Sequence, residues 1–243
     1  MRRREQMKIA ILGAGRIGGN LGRLLAQAGH RIIFASRNPG RLDGLLAVTD
    51  GDAKAATLDA AVAEADLVIE ALPYAAALAL DPNALAGKTL VSASNYYPSR
   101  DGEVQLGSLG QTEVLADRLP GARVVKAFNM LHYTIFEERL SGGQPDVAMA
   151  LAGDDPDARR VVSGLIRDAG FVPVNTGPLV IGRSFQTDGP LYAKTMSDTE
   201  MRAALAGWQA GGGAGSAGAA VHDGETVPGS SKAPLGSGYG IEA

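Results

Sequence analysis

An α/β fold, doubly wound around a mostly parallel sheet and followed by a short C-terminal extension, is predicted by three observations. Short β-type runs alternate with amphipathic helical stretches along most of the chain. The runs are almost continuously apolar, as strands covered on both faces are. The first run ends in a glycine-rich turn that opens a helix. Strands are expected over 8–12, 31–35, 66–72, 89–93, 123–127, 146–152 and 171–175, with a weaker one at 54–57. Helices are expected over 16–28, 58–64, 112–119, 133–140 and 157–169. Gly29 and Gly170 stand where helix C-termini favour a left-handed residue. Asp155-Pro156 reads as an N-cap followed by proline in the first turn.

The composition narrows the function classes. With 45% apolar and 20% charged residues, the 243-residue chain is ordinary for a globular protein. A net charge of −3 gives no electrostatic case for nucleic acid or an anionic membrane. The absence of cysteine removes disulfides, thiolate catalysis and thiolate metal sites, and fits a cytoplasmic location. No histidine–carboxylate cluster has metal-ligand spacing. No apolar run reaches membrane-spanning length. Residues 1–6 are expected to be a frayed leader, because only four apolar residues, Ile9–Leu12, precede Gly13. Residues 207–243 hold 11 of the 33 glycines, with Ala and Ser, and are expected to be a disordered tail. The main domain then spans 7–182, and 183–206 form an extension shaping the substrate side.

The turn Gly13-Ala14-Gly15-Arg16-Ile17-Gly18 has the strand-before, helix-after context of the Rossmann-type dinucleotide fingerprint. Gly13 permits the tight turn, Gly15 lets the backbone approach a pyrophosphate, and Gly18 lets helix and strand pack closely. The helix N-terminus offers N–H groups and a positive dipole end to the phosphates. At the end of the second strand an NAD site normally places an acid for the ribose 2′-hydroxyl. Here the chain reads Ala35-Ser36-Arg37-Asn38-Pro39, with Arg41 two residues on. A hydroxyl and guanidinium groups suit a 2′-phosphate, so the expected cofactor is NADP(H).

In doubly wound sheets the ligand lies beyond the C-terminal strand ends. Four loops are singled out on that ground: Leu72-Pro73-Tyr74, Ser94–Pro98, Phe128–Tyr133 and Gly177-Pro178-Leu179. Asn95 and Asn129 are the candidates to hold the nicotinamide end, and the backbone of 72–74 to wall the pocket. Tyr74, Tyr96 and Tyr97 are candidates for a stacking wall. His132 is the one histidine expected near this edge; His30 is expected at the surface. No side chain is assigned as a catalytic acid, base or nucleophile.

The segments Met7–Gly18 (MKIAILGAGRIG), Ser36–Pro39, Val124–Asn129 (VVKAFN), Gly153-Asp154-Asp155 and Gly177-Pro178-Leu179 resemble the NADPH-dependent reductase family of the deazaflavin coenzyme F420. The resemblance covers roughly residues 7–182. It implies cofactor contacts at Ala14–Ile17, Ser36, Arg37, Arg41, Pro73, Asn95 and Asn129, and a small cytoplasmic enzyme, often a homodimer. The Ser-Arg-Asn-Pro element is shared with the reductase domain of membrane ferric reductases. Past Leu179 the family continues into a helix, whereas here Gly189-Pro190 interrupts the run. The expected activity is hydride transfer between NADP(H) and a small-molecule redox acceptor, a deazaflavin or flavin-like co-substrate. The alternatives are reduction of a small carbonyl or imine, with His132 or Tyr133 as proton donor, and a non-enzymatic NADP(H) sensor.

Overall fold

The structure is a computed structural model and describes residues 6–143 and 146–213. Eight strands form one sheet: β1 (Lys8–Leu12), β2 (Arg31–Ala35), β3 (Ala53–Ala56), β4 (Leu67–Glu70), β5 (Thr89–Ser92), β6 (Arg123–Ala127), β7 (Ala148–Gly153) and β8 (Val172–Asn175). The helices are α1 (Arg16–Gln27), α2 (Asp43–Ala47), α3 (Leu58–Glu64), α4 (Tyr74–Ala77), α5 (Pro82–Leu85), α6 (Pro98–Asp101), α7 (Gln111–Arg118), α8 (Tyr133–Leu140), α9 (Pro156–Asp168) and α10 (Asp198–Ala210), with 3-10 turns at Pro39–Leu42 and Leu179–Phe185.

The strand order is β3-β2-β1-β4-β5-β6-β7-β8. Every pair is parallel except β6–β7, where Val125 faces Gly153 and Ala127 faces Leu151. The period-two alternation of strand side chains divides the apolar residues between two cores. Ile9, Ile11, Ile32 and Phe34 face one layer with Leu21, Phe136, Val162 and Met201. Ala10, Leu12, Ile33 and Ala35 face the other with Val62, Tyr74, Leu85 and Leu115. The fold class is the expected Rossmann-type one.

The reversal of β7 corrects one expectation. β7 and β8 run against β6, so Gly153-Asp154 and Gly177-Pro178-Leu179 leave the sheet at the edge opposite the C-terminal ends of β1, β4, β5 and β6. Gly177-Pro178-Leu179 therefore does not stand with the other three loops. It is tied to the preceding segment: Gly153 N–H donates to the Gly177 carbonyl at 3.0 Å and Leu179 N–H to Asp154 Oδ1 at 2.9 Å. From there the 3-10 turn carries the chain back across β6.

The extension is more ordered than its Gly-Pro break implies. After a loop, Ser197 caps α10, accepting from Glu200 N–H at 3.4 Å while Glu200 accepts from Ser197 N–H at 2.9 Å. The helix runs to Ala210 and Trp208 packs against the core. The tail boundary expected at 207 thus falls inside a helix. Residues 1–5 of the leader and 214–243 of the tail lie outside the described residues.

Candidate cofactor site

The site is built on the C-terminal ends of β1, β2, β4, β5 and β6, next to the switch point where β1 and β4 are neighbours. Gly13 has φ +95°, and a Cβ there would lie 2.6 Å from the Ala71 carbonyl oxygen. The turn is thereby pressed against the end of β4. Ala14 is buried and Ile17 packs against the core. Gly18 lies so close to the Gly13 carbonyl that a methyl has no room. Gly15 is the N-cap of α1, without a side-chain cap, and the first turn has no acidic residue. No side chain caps the helix end in place of a phosphate. Arg16 is exposed, its guanidinium 4.3 Å from the centre of the Tyr133 ring.

At the end of β2, Ser36 Oγ accepts from Asn38 N–H at 3.1 Å, which turns the chain outward. Asn38 itself is exposed. Arg37 and Arg41 are exposed and their guanidinium groups have no carboxylate partner among the described residues. Arg41 sits in the 3-10 turn rather than at a helix start. The two cations remain available to an anion.

Asn95 and Asn129 are brought together. Asn95 Nδ2 donates to the Asn129 carbonyl at 2.7 Å, and Asn129 Nδ2 donates to Asn95 Oδ1 at 3.0 Å and to the Phe185 carbonyl at 2.8 Å. Asn129 is only 4% exposed, and its Oδ1 is buried without any hydrogen-bond partner. An unmet buried acceptor costs about 1–3 kcal/mol, so this oxygen calls for a donor that the described residues do not supply. The residue before it, Phe128, is buried and held at φ +64°, a strained conformation for an aromatic residue. Leu72 is half-buried and Pro73 exposed, at the end of β4.

The tyrosine wall is not formed as expected. Tyr74 is 1% exposed and its hydroxyl donates to the Gln111 carbonyl at 2.5 Å. Tyr96 is also buried, 5.4 Å from Tyr74, and its hydroxyl donates to the Gly102 carbonyl. Both rings fill the core layer beneath the loop, leaving Tyr74 only its backbone as a contact. Tyr97 alone of the three stays at the mouth, half-buried. His132 is exposed, with its ring against Tyr133 and Nδ1 2.9 Å from Thr134 Oγ1. His30 is not a surface residue: it is 3% exposed, with Nδ1 taking Met7 N–H at 3.3 Å and Nε2 at 3.1 Å from Asp168. His222 lies outside the described residues.

Two buried charges under the site were not singled out from sequence. Glu70, at the end of β4, accepts from Ser92 Oγ at 2.6 Å and Ser94 Oγ at 2.8 Å. Burial pushes its carboxyl up to about 7, against those hydroxyls. Lys126, inside VVKAFN, donates to Thr112 Oγ1 at 2.9 Å, and burial pushes it down to about 7, against the pull of Glu70. The signal was present: an ionisable residue inside a strand covered on both faces is expensive and unusual. Among the described residues no group of three or more His, Cys, Asp or Glu could hold a metal, and no helix is long and apolar enough to cross a membrane.

Residues 8–96, which include the glycine turn, the Ser36–Arg41 element and Asn95, match the family described as NADP oxidoreductase, coenzyme F420-dependent. The likeness to that family rests on this N-terminal segment, little more than a third of the chain. The rat metalloreductase STEAP3 is 30% identical over 185 residues, 75% of this chain and 36% of the rat protein. The chain thus spans about a third of that relative. A hypothetical protein from Sinorhizobium meliloti has the same fold at 33% identity and a TM-score of 0.69, over 79% of this chain and 96% of the other. A protein from Arthrobacter sp., provisionally assigned as an F420-dependent NADP reductase, superposes with a TM-score of 0.64 at 23% identity. The match covers 86% of this chain and 96% of the Arthrobacter protein, and at that identity shows the fold alone.

Proposed function

We propose that the chain transfers a hydride between NADP(H) and a planar acceptor of the deazaflavin or flavin type. The observation that carries this reading is the buried, unpartnered Oδ1 of Asn129 at the strand edge where the fold presents a dinucleotide. A nicotinamide carboxamide has the N–H that this oxygen lacks. The residues fit the rest of the cofactor as well. The uncapped N-terminus of α1 and the Gly13–Gly15 turn suit a pyrophosphate, with Arg16 beside them. Ser36, Arg37 and Arg41 suit the 2′-phosphate, with Asn38 shaping the turn.

NADPH, when bound, supplies the hydride. The protein's part is to hold, orient and shield. Asn129 Nδ2 donates to Asn95 Oδ1 and to the Phe185 carbonyl, and these two bonds fix the direction of the free Oδ1. The backbone of 72–74 closes one side. Orientation of two rings at reacting distance can supply about 7–11 kcal/mol of a barrier; the hydride goes to the ring, and the proton that completes the reduced ring goes to a ring nitrogen from solvent. The test is loss of the NADPH absorbance band with a panel containing a deazaflavin, a flavin, a ketone and a cyclic imine. The reading requires turnover with the planar ring acceptors. Turnover with the ketone or imine alone replaces it with the carbonyl or imine reductase, and tight NADPH binding with no turnover replaces it with a sensor. The protein is read as cytoplasmic, and a homodimer is the proposed assembly.

A further inference from the structure

We propose that the paired hydroxyls of Tyr97 and Tyr192 form the hydrogen-bonding end of the acceptor subsite, reading a carbonyl oxygen or ring nitrogen on the edge of the planar acceptor. The inference rests on the NADP(H) reading above and says what lies beyond the nicotinamide. Tyr97 is two residues from Asn95, on the loop after β5. Tyr192 comes from the extension, where Ala193 N–H donates to the Met130 carbonyl at 2.9 Å, one residue from Asn129. The two tyrosines are thus carried by segments joined to Asn95 and Asn129, and their hydroxyls meet in a hydrogen bond. Ala193 holds φ +56°, so this crossing, like Phe128, is kept in a costly backbone conformation.

The proton count makes the pair a reader. Two phenol hydroxyls carry two protons, and one bridges them. The second has no partner among the described residues, and both rings are half-buried at the mouth. Burial raises the Tyr192 phenol, so it stays protonated and able to donate. Arg100 steadies the arrangement: its guanidinium lies 5.0 Å from the centre of the Tyr97 ring and donates to the Asn95 carbonyl at 2.6 Å. The pair offers one free phenol donor on the segments next to Asn95 and Met130, which suits the oxygen-rich edge of a deazaflavin and gives nothing to a planar ring without acceptor atoms. Tyr97 and Tyr192 are positioning residues, and no bond to hydrogen is broken at either in the hydride step.

The experiment uses the full chain saturated with NADP+ and two fluorescent probes. One is 5-deazariboflavin; the other is N-methylacridinium, a planar hydride acceptor with no carbonyl edge. The Tyr97→Phe/Tyr192→Phe double variant keeps both rings and removes both hydroxyls. Its NADP+ affinity should be unchanged, its deazariboflavin binding weaker by about threefold to tenfold, and its acridinium binding altered by less than twofold. Equal losses for both probes, or no loss for deazariboflavin, overturn the proposal. So does a wild type that binds NADP+ but not deazariboflavin, and in that case the cofactor reading stands. A wild type that binds no NADP+ overturns both.

Discussion

Arg37 shows how much a single side chain can settle. Its guanidinium stands in solvent at the end of β2 without a carboxylate beside it, in the place where an NAD-binding chain would put an acid. Arg37→Ala should weaken NADPH by about 10- to 150-fold, the equivalent of one charge-assisted contact of roughly 1.5–3 kcal/mol, and leave NADH nearly unchanged in calorimetric titration. Equal losses for both nucleotides would remove the 2′-phosphate assignment. Asn129 belongs to the same scale. Asn129→Leu adds bulk and deletes the free Oδ1 and the Nδ2 bonds to Asn95 and Phe185, so turnover should fall more than for His132→Ala. His132→Ala should lose less than the roughly 10²-fold expected on removing a general acid; a dead but folded and NADPH-binding variant would reinstate the proton donor. The places of the glycine turn after β1 and of Ser36 and Arg37 after β2 were legible because local spacing sets them. Tyr74 and Tyr96 were not. Whether a loop aromatic faces a ligand or the core depends on what packs below, and here Gln111 of α7 takes the Tyr74 hydroxyl.

At the scale of elements, α1 joins fold to chemistry. Its N-terminus is uncapped, and its glycine turn is wedged against Ala71. A carboxylate at the N-cap would put negative charge where the phosphates are expected, while also offering a favourable cap. Gly15→Asp should therefore remove binding of both NADPH and NADH and leave circular dichroism and melting close to wild type. Retained binding in the folded variant would place the pyrophosphate elsewhere. The strands were legible to within two residues at either end because their apolar runs are distinctive. The direction of β7 was not: a helix between two strands precedes a parallel crossover and this antiparallel return alike. The short helices α4, α5 and α6 are four residues each, too brief to show a helical period. For α10 a local signal existed, since Ser197-Asp198-Thr199-Glu200 has capping-box spacing. Gly189-Pro190 concealed it by breaking the run upstream.

The whole molecule carries a pair of charges that no local pattern explains. Burial raises the Glu70 carboxyl from the ordinary 4.5 to about 7 in the fold. Between those values the folded state binds more protons than the unfolded one, so stability falls as pH rises through that window and levels above it. Lys126 works in the other sense. Its value drops from 10.5 to about 7, so across that interval the unfolded state binds more protons and stability rises with pH. Together the two groups contribute a minimum near neutrality. Glu70→Gln should flatten the acid-side fall in urea midpoint between about pH 5 and 7, and an unchanged slope would show that Glu70 is ionised throughout. Both groups lie at the strand ends that lead into the loops holding Pro73, Asn95 and Asn129, so the sheet edge proposed to bind the cofactor rests on a polar floor. The central claim is that this edge brings a nicotinamide and a planar acceptor face to face for direct transfer. It is tested most directly by supplying NADPH deuterated at the transferring position, with 5-deazariboflavin as acceptor, and reading the product by mass spectrometry. The account predicts that the label appears in the reduced deazaflavin without dilution by solvent; a label found in water instead would contradict it.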